Sequence, residues 1–176
     1  MFIFDYIRLF KLITDTEAQN EAAGFLIDNN KTLAVAESCT GGLLSSLMTD
    51  VSGSSSYIKA NFVTYANEAK MKYLNVKEET LKEHGAVSIE TANEMVQGLL
   101  NETGADYAIA TTGIAGPTGG SDTKPVGLVY IGIGSKERVH VSKYNVCPKY
   151  PRMLIKYLFA KHAVLLLLDF FKGKIK

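Results

Sequence analysis

The sequence predicts an α/β protein, a three-layer α/β/α sandwich around a mixed, mainly parallel sheet. Three observations predict it. Short apolar runs that read as strands alternate along the chain with segments of helical spacing. The last two strand-like runs are separated only by a short turn at Gly134-Ser135, which requires at least one antiparallel pair. A length of 176 residues, 47% hydrophobic and 21% charged, suffices for one well-packed domain and falls short of two comfortable ones.

The elements follow in order. The start, "MFIFDYIRLFKLI", is apolar, but Asp5 and Arg8 interrupt it and no small-residue cleavage site follows, so it does not read as a signal peptide. Its positions Phe2, Ile3, Tyr6, Leu9, Phe10 and Ile13 recur at helical spacing and predict a helical extension over residues 1–16. That helix packs on the domain or on a partner subunit, with a membrane-surface helix as the other reading. The domain itself is expected over residues 17–176. "TEAQNEAAGFLIDNN" is helical and closes at Asn29-Asn30, ahead of a buried strand in "KTLAVAES". "TGGLLSSLMTDV" reads as a helix ended by "SGSSS", "YIKANFVTYA" as a strand, and "NEAKMKYLNV" as the beginning of another helix. "KEETLKEHG" and "SIETANEMVQGLLNETG" are helical and close at Gly85 and Gly104. "DYAIATTG", "VGLVYIGIG" and "RVHVSKYNV" read as strands, and the last helix starts near Pro151. Its "AVLLLLDFF" is too short to span a bilayer and is flanked by charges, which predicts a buried helix.

Composition excludes several function classes. A net charge of +1 carries no basic face of the kind that binds nucleic acid. Cys39 and Cys147 form no CxxC pair, so neither a disulfide framework nor a zinc site is expected, and a reducing cytoplasm is the simplest setting. His84, His140 and His162 are isolated and match no metal pattern. Neither metal nor cofactor is expected.

The chemistry concentrates in "AESCTGG". Ser38 stands where a buried strand meets the next helix, and the first helical N–H groups there have no intrahelical acceptor. Such groups stabilise an oxyanion or hold a phosphate, with Gly41 and Gly42 allowing close approach. On spacing alone the favoured reading is that Ser38 or Thr40 simply caps the helix. A second glycine-rich loop, "GIAGPTGGSDTKPVG", follows a later strand and matches neither a Walker loop nor G-x-G-x-x-G. Loops leaving the carboxyl ends of neighbouring strands share a crevice where ligands bind. A base for Ser38 has to come from elsewhere in the chain. Lys70, early in a helix after a strand, can be aimed at that crevice, or it can be an inert surface lysine. Cys39, beside Ser38, is either a competing nucleophile or a small buried hydrophobe.

Five motifs, "AESCTGG", "SGSSSY", "FVTYANEAK", "HGAVS" and "GIAGPTGGSDTKPVG", in this order and at these separations, resemble the CinA C-terminal domain family, which includes the bacterial nicotinamide mononucleotide deamidases. The resemblance runs from about Glu17 to Ala163. It implies a compact α/β/α sandwich and hydrolysis of the carboxamide of nicotinamide mononucleotide to nicotinate mononucleotide and ammonia, without metal or cofactor. Carried onto this chain, it implies Ser38 as nucleophile and Lys70 as general base, with Ser55 and Tyr65 as supporting polar groups. Thr40, Gly41, Thr112 and Gly113 fall at the substrate, and backbone N–H groups of Cys39, Thr40 and Gly41 are the expected oxyanion donors. Arg152 corresponds to an arginine that helps hold the phosphate. Around it this chain departs from the family pattern of a glycine and an acidic residue before that arginine and a second arginine one turn later: Tyr150 and Pro151 precede it and Lys156 follows. Lysine keeps the charge without the bidentate fork. The alternative is a non-catalytic, nucleotide-binding regulatory module. Small members are often homodimers, so a homodimer is expected; longer members carry an extra N-terminal domain for which this chain has no room.

Overall fold

The computed structural model describes residues 10, 11 and 14–175. Most of the helical extension expected over residues 1–16 lies outside the described residues. Helix α1, Glu17–Asp28, leads into strand β1, Leu33–Glu37, and then helix α2, Leu43–Thr49. A 3-10 turn, Ser54–Ser56, precedes strand β2, Ile58–Val63, and helix α3, Asn67–Leu74. Helices α4, Glu78–Glu83, and α5, Ile89–Thr103, come next. Strands β3, Tyr107–Gly113, β4, Leu128–Ser135, and β5, Val139–Asn145, precede helix α6, Arg152–Phe171.

Local chemistry sets the element ends. The hydroxyl of Ser88 accepts the Thr91 N–H at 3.1 Å and caps α5, which closes on Gly104 at φ +65°. Helix α2 starts at Leu43, later than the sequence pattern suggests, because Gly41 and Gly42 sit at φ +61° and +98°. Those left-handed angles suit glycine and hold the chain out of the helix until after Gly42.

The sheet is mixed, in the order β2-β1-β3-β4-β5. Strand β1 runs parallel to both β2 and β3, whereas β4 is antiparallel to β3 and to β5. Alternate residues divide the core between the two faces. Leu33, Val35, Ile109 and Ile131 pack with α1, α2 and α6. Ala34, Ala36, Ala108 and Ala110 pack with α3 and α5. This second face is lined by small side chains, and β4 continues it with Gly132 opposite Ala110 and Gly134 opposite Ala108. A Cβ on Gly132 would stand 2.9 Å from the Ala92 carbonyl oxygen, so α5 lies almost directly on the sheet. Helix α6 is buried along much of its length, including Phe159, Ala163, Val164 and Leu167. Among the described residues no helix is long and apolar enough to cross a membrane.

One glycine fixes how α3 meets α5. A Cβ built on Gly98 would lie 1.8 Å from the Leu74 carbonyl oxygen and 2.5 Å from its carbon, both backbone atoms. Gly98→Ala is therefore expected to destabilise the fold by about 2–4 kcal/mol, since two helices must separate. Gly24→Ala, where a Cβ on α1 meets nothing within 4 Å, is expected to stabilise by about 0.5–1 kcal/mol. Urea unfolding of both variants tests this; equal midpoints would show that the α3–α5 contact is not tight.

Candidate active site

Four chain segments meet at the carboxyl edge of the parallel strands. The turn after β1 carries Ser38, the segment after β2 leads to Lys70, the loop after β3 runs through Gly116, and α6 begins there with Arg152. Together with Ala86 and Val87 ahead of α5 they enclose a crevice of about 260 Å³. Its lining includes an apolar wall of Val87, Ile114 and Ala115, and polar groups from Ser38, Tyr65, Lys70, Thr112 and Arg152. Among the described residues its lining carries two basic side chains, Lys70 and Arg152, and no carboxylate, which favours an anionic ligand. A larger cleft of about 690 Å³ lies between α5 and the β4–β5 turn and contains none of these groups.

Lys70 and Ser38 are in contact. Lys70 Nζ donates to Ser38 Oγ at 3.1 Å, to the Thr64 carbonyl at 2.8 Å and to the Tyr65 carbonyl at 3.4 Å. The side chain is 1% exposed, on the inward face of α3 one turn before buried Leu74. Burial away from water lowers its amine to about 8, despite an opposing pull from Cys39. The two carbonyls can only accept, so in the neutral amine they take its two N–H groups and leave the lone pair facing the Ser38 hydroxyl. That is the arrangement a general base requires.

The neighbouring thiol has the opposite setting. Cys39 is 4% exposed, and burial pushes its thiol up to about 12. Of the adjacent Ser38, Cys39 and Thr40, only Ser38 reaches the amine. Thr40 is fully buried and shares a 2.8 Å hydrogen bond with Thr111, and of the turn only Ser38 and Cys39 line the crevice, so the expected place of Thr40 and Gly41 at the substrate is corrected. Gly41 is exposed beside Lys156, whose Nζ would stand 3.2 Å from a Cβ there.

The remaining expected residues divide. Thr112 lines the crevice and donates to the Ala86 carbonyl at 2.6 Å, tying the end of β3 to the segment before α5. Gly113 lines it too, and a Cβ there would be 2.5 Å from the Leu128 carbonyl oxygen. Arg152 donates to the Gly116 carbonyl at 2.6 Å and to the Tyr65 hydroxyl at 2.8 Å, bridging two walls through neutral acceptors. Its charge stays uncompensated by these partners. Ser55 does not join the group within this chain. It is exposed in the turn before β2, and because β1 and β2 are parallel, that turn sits at the other end of the strands from Ser38.

Glu37 escaped the sequence reasoning. It is fully buried at the end of β1, and its carboxylate accepts the N–H groups of Gly42 at 2.9 Å, Leu44 at 3.1 Å and Ser45 at 2.8 Å, plus the Ser45 hydroxyl at 2.5 Å. Neither Ser38 nor Thr40 caps α2; Glu37 does. The expectation that the first helical N–H groups face a ligand is corrected accordingly, because this carboxylate already occupies them. The N–H groups of Cys39, Thr40 and Gly41 make no hydrogen bond within the protein among the described residues. One signal was available: a glutamate closing an otherwise apolar strand needs buried donors, and a Gly-Gly turn can supply them.

Comparison with known proteins agrees with this architecture. The sequence model of the CinA C-terminal domain matches residues 15–171. The chain belongs to the CinA C-terminal domain family. A CinA-like protein of Endomicrobium trichonymphae is 52% identical over 138 residues, covering 78% of this chain and 32% of the relative. Another, from Syntrophomonas wolfei, is 50% identical over 145 residues, covering 82% and 34%. The chain thus spans about a third of the length of the curated relatives it matches. A crystal structure of a CinA superfamily protein from Klebsiella pneumoniae superposes with a TM-score of 0.85 at 31% identity, covering 90% of this chain and 98% of that one. The competence/damage inducible protein CihA of Agrobacterium tumefaciens gives 0.80 at 38% identity, covering 86% and 94%. These neighbours share the α/β sandwich fold of this chain.

The two cysteines give a direct test of burial. At pH 8 a thiol reagent is expected to label exposed Cys147 and spare Cys39 in the folded chain. Peptide mass spectrometry reads the two sites separately, and comparable labelling of both would show that the Ser38 turn opens freely.

Proposed function

We propose that this CinA-family chain is an amidohydrolase that converts nicotinamide mononucleotide to nicotinate mononucleotide and ammonia by a serine–lysine mechanism. The observation that carries the reading is the 3.1 Å contact between Lys70 Nζ and Ser38 Oγ inside a crevice that also holds Arg152. Neutral Lys70 takes the Ser38 proton as Oγ attacks the carboxamide carbon. The oxyanion that forms is met by the backbone N–H of Cys39, which lines the crevice beside Ser38. Lys70 then returns the proton to the departing amine, which leaves as ammonia, and an acyl-enzyme remains. Water, deprotonated by the same lysine, attacks the acyl carbon and releases nicotinate mononucleotide with Ser38 restored. The Val87, Ile114 and Ala115 wall suits a flat pyridine ring, and Arg152 suits the phosphate. A cytoplasmic setting fits the exposed free thiol of Cys147.

A purified chain incubated with nicotinamide mononucleotide is expected to release ammonia and nicotinate mononucleotide in equal amounts. Ser38→Ala and Lys70→Ala are each expected to lower kcat by about a thousandfold or more, whereas Cys39→Ala retains turnover. Nucleotide binding without turnover in the parent would instead favour a non-catalytic binding module.

The pH profile has a defined sign. Lys70 acts as the unprotonated amine, so kcat/KM is expected to rise with pH through about 8 and to level off above it. A profile flat from pH 6 to 10 would remove Lys70 as the base.

A further inference from the structure

We propose that Glu37 is a positioning residue for the nucleophile: its buried carboxylate holds the 38–41 turn so that Ser38 faces Lys70 and the N–H of Cys39, beside it on the crevice, stays outside the helix cap for the oxyanion. This inference rests on the serine–lysine reading of the same site. The backbone around Ser38 is pinned on both sides. Glu37 O accepts the Thr64 N–H at 2.8 Å, and the Ser38 N–H donates to Thr111 O at 3.0 Å. Those two bonds fix where the turn leaves the sheet, but not how it continues. The carboxylate does that, because its Oε2 gathers the Gly42 and Leu44 N–H groups and its Oε1 gathers the N–H and hydroxyl of Ser45.

The chain therefore doubles back over its own side chain, through Gly41 and Gly42 in the left-handed region at φ +61° and +98°. Every N–H that the carboxylate takes belongs to Gly42 or a later residue. Of those it leaves, the Leu43 N–H turns to the Thr40 carbonyl, and those of Cys39, Thr40 and Gly41 belong to the turn beside Ser38. One carboxylate thus sorts the donors of this segment into those that open α2 and those of the turn beside Ser38, of which Cys39 lies on the crevice. It also places a negative charge at the start of α2, so the end of this helix is not the group that holds a phosphate, and that task falls to Arg152.

The charge and both oxygens are needed for this sorting. Glutamine in the same place presents an NH₂ group to backbone N–H donors on one side, so at least one pair of bonds becomes a donor–donor clash. The turn then shifts while strand β1 stays in place. Aspartate keeps both oxygens and the charge but is one methylene shorter, so it recovers part of the arrangement.

The test measures kcat and KM for nicotinamide mononucleotide, the rate at which a fluorophosphonate labels Ser38, and Tm, for the parent, Glu37→Gln and Glu37→Asp. For Glu37→Gln, kcat is expected to fall about 100-fold with KM within about threefold of the parent, and Ser38 labelling to slow in parallel. Glu37→Asp is expected to lie between the two. A variant with lowered Tm but with kcat and labelling within about threefold of the parent, assayed while folded, would show a merely structural role and overturn the proposal. Should Glu37→Gln fail to fold, the same comparison on Glu37→Asp decides, with unchanged kcat and labelling again overturning it. A parent that takes the label without turning over the nucleotide would sink the deamidase reading alone, and the labelling rates of the variants would then decide the role of Glu37. A folded parent that does neither would overturn both.

Discussion

The parallel pairing of β1 with β2 on one side and β3 on the other is the constraint on which the site depends. Parallel neighbours leave the sheet at the same edge, so Ser38 after β1, Thr64 and Lys70 after β2, and Thr112 with its glycine loop after β3 emerge together. The antiparallel strands extend this convergence. Strand β4 begins at that edge opposite the end of β3, and β5 finishes there opposite Leu128, delivering Arg152 to the same crevice. No long-range coincidence is needed to assemble the site, because strand direction alone brings its parts to one place. The same rule keeps Ser55, at the amino end of β2, away from it.

Two charged side chains are buried at this edge, and they are treated in opposite ways. Glu37 receives four donors, which replace the water its carboxylate would otherwise bind. Lys70 receives two carbonyls and a hydroxyl and no carboxylate, so burial dominates and its amine titrates near 8. Lys161 shows that burial alone does not make a site. It is also buried, with its amine lowered by burial, but it donates to the Asp15 carbonyl and to Gln19 and so ties α6 to the chain around α1, with no nucleophile bonded to it among the described residues. What distinguishes Lys70 is a hydroxyl at hydrogen-bond distance and an open crevice beyond it. Some stability is given up here as well: the Thr64 hydroxyl, next to the carbonyl that Lys70 uses, is buried without a hydrogen-bond partner among the described residues.

The small-residue face of the sheet serves the same end. Alanines on β1 and β3 and glycines on β4 let α5 lie close to the strands, and Gly98 lets the end of α3 lie close to α5. Lys70, on α3, is held between these layers, so the position of the amine depends on contacts made without any side chain at Gly98. Packing precision far from the crevice thereby reaches the distance between base and nucleophile.

The alternation of apolar runs and helical spacing determined the elements and the mixed sheet, because period and turn chemistry act over a few residues and are written directly in the chain. The order of motifs determined the family. Spacing alone left Lys70 indistinguishable from a surface lysine and left Ser38 and Cys39 as rivals, since neither burial nor orientation is a local property. Tertiary structure decided both, by folding α3 inward so that the amine reaches Ser38 while the thiol beside it is sealed. It also decided that Glu37, rather than Ser38 or Thr40, satisfies the start of α2. A helix cap is ordinarily read from the residue next to the helix. Here the cap comes from the last residue of β1, reachable only because two left-handed glycines turn the chain back over it, and that reach is a property of the folded turn.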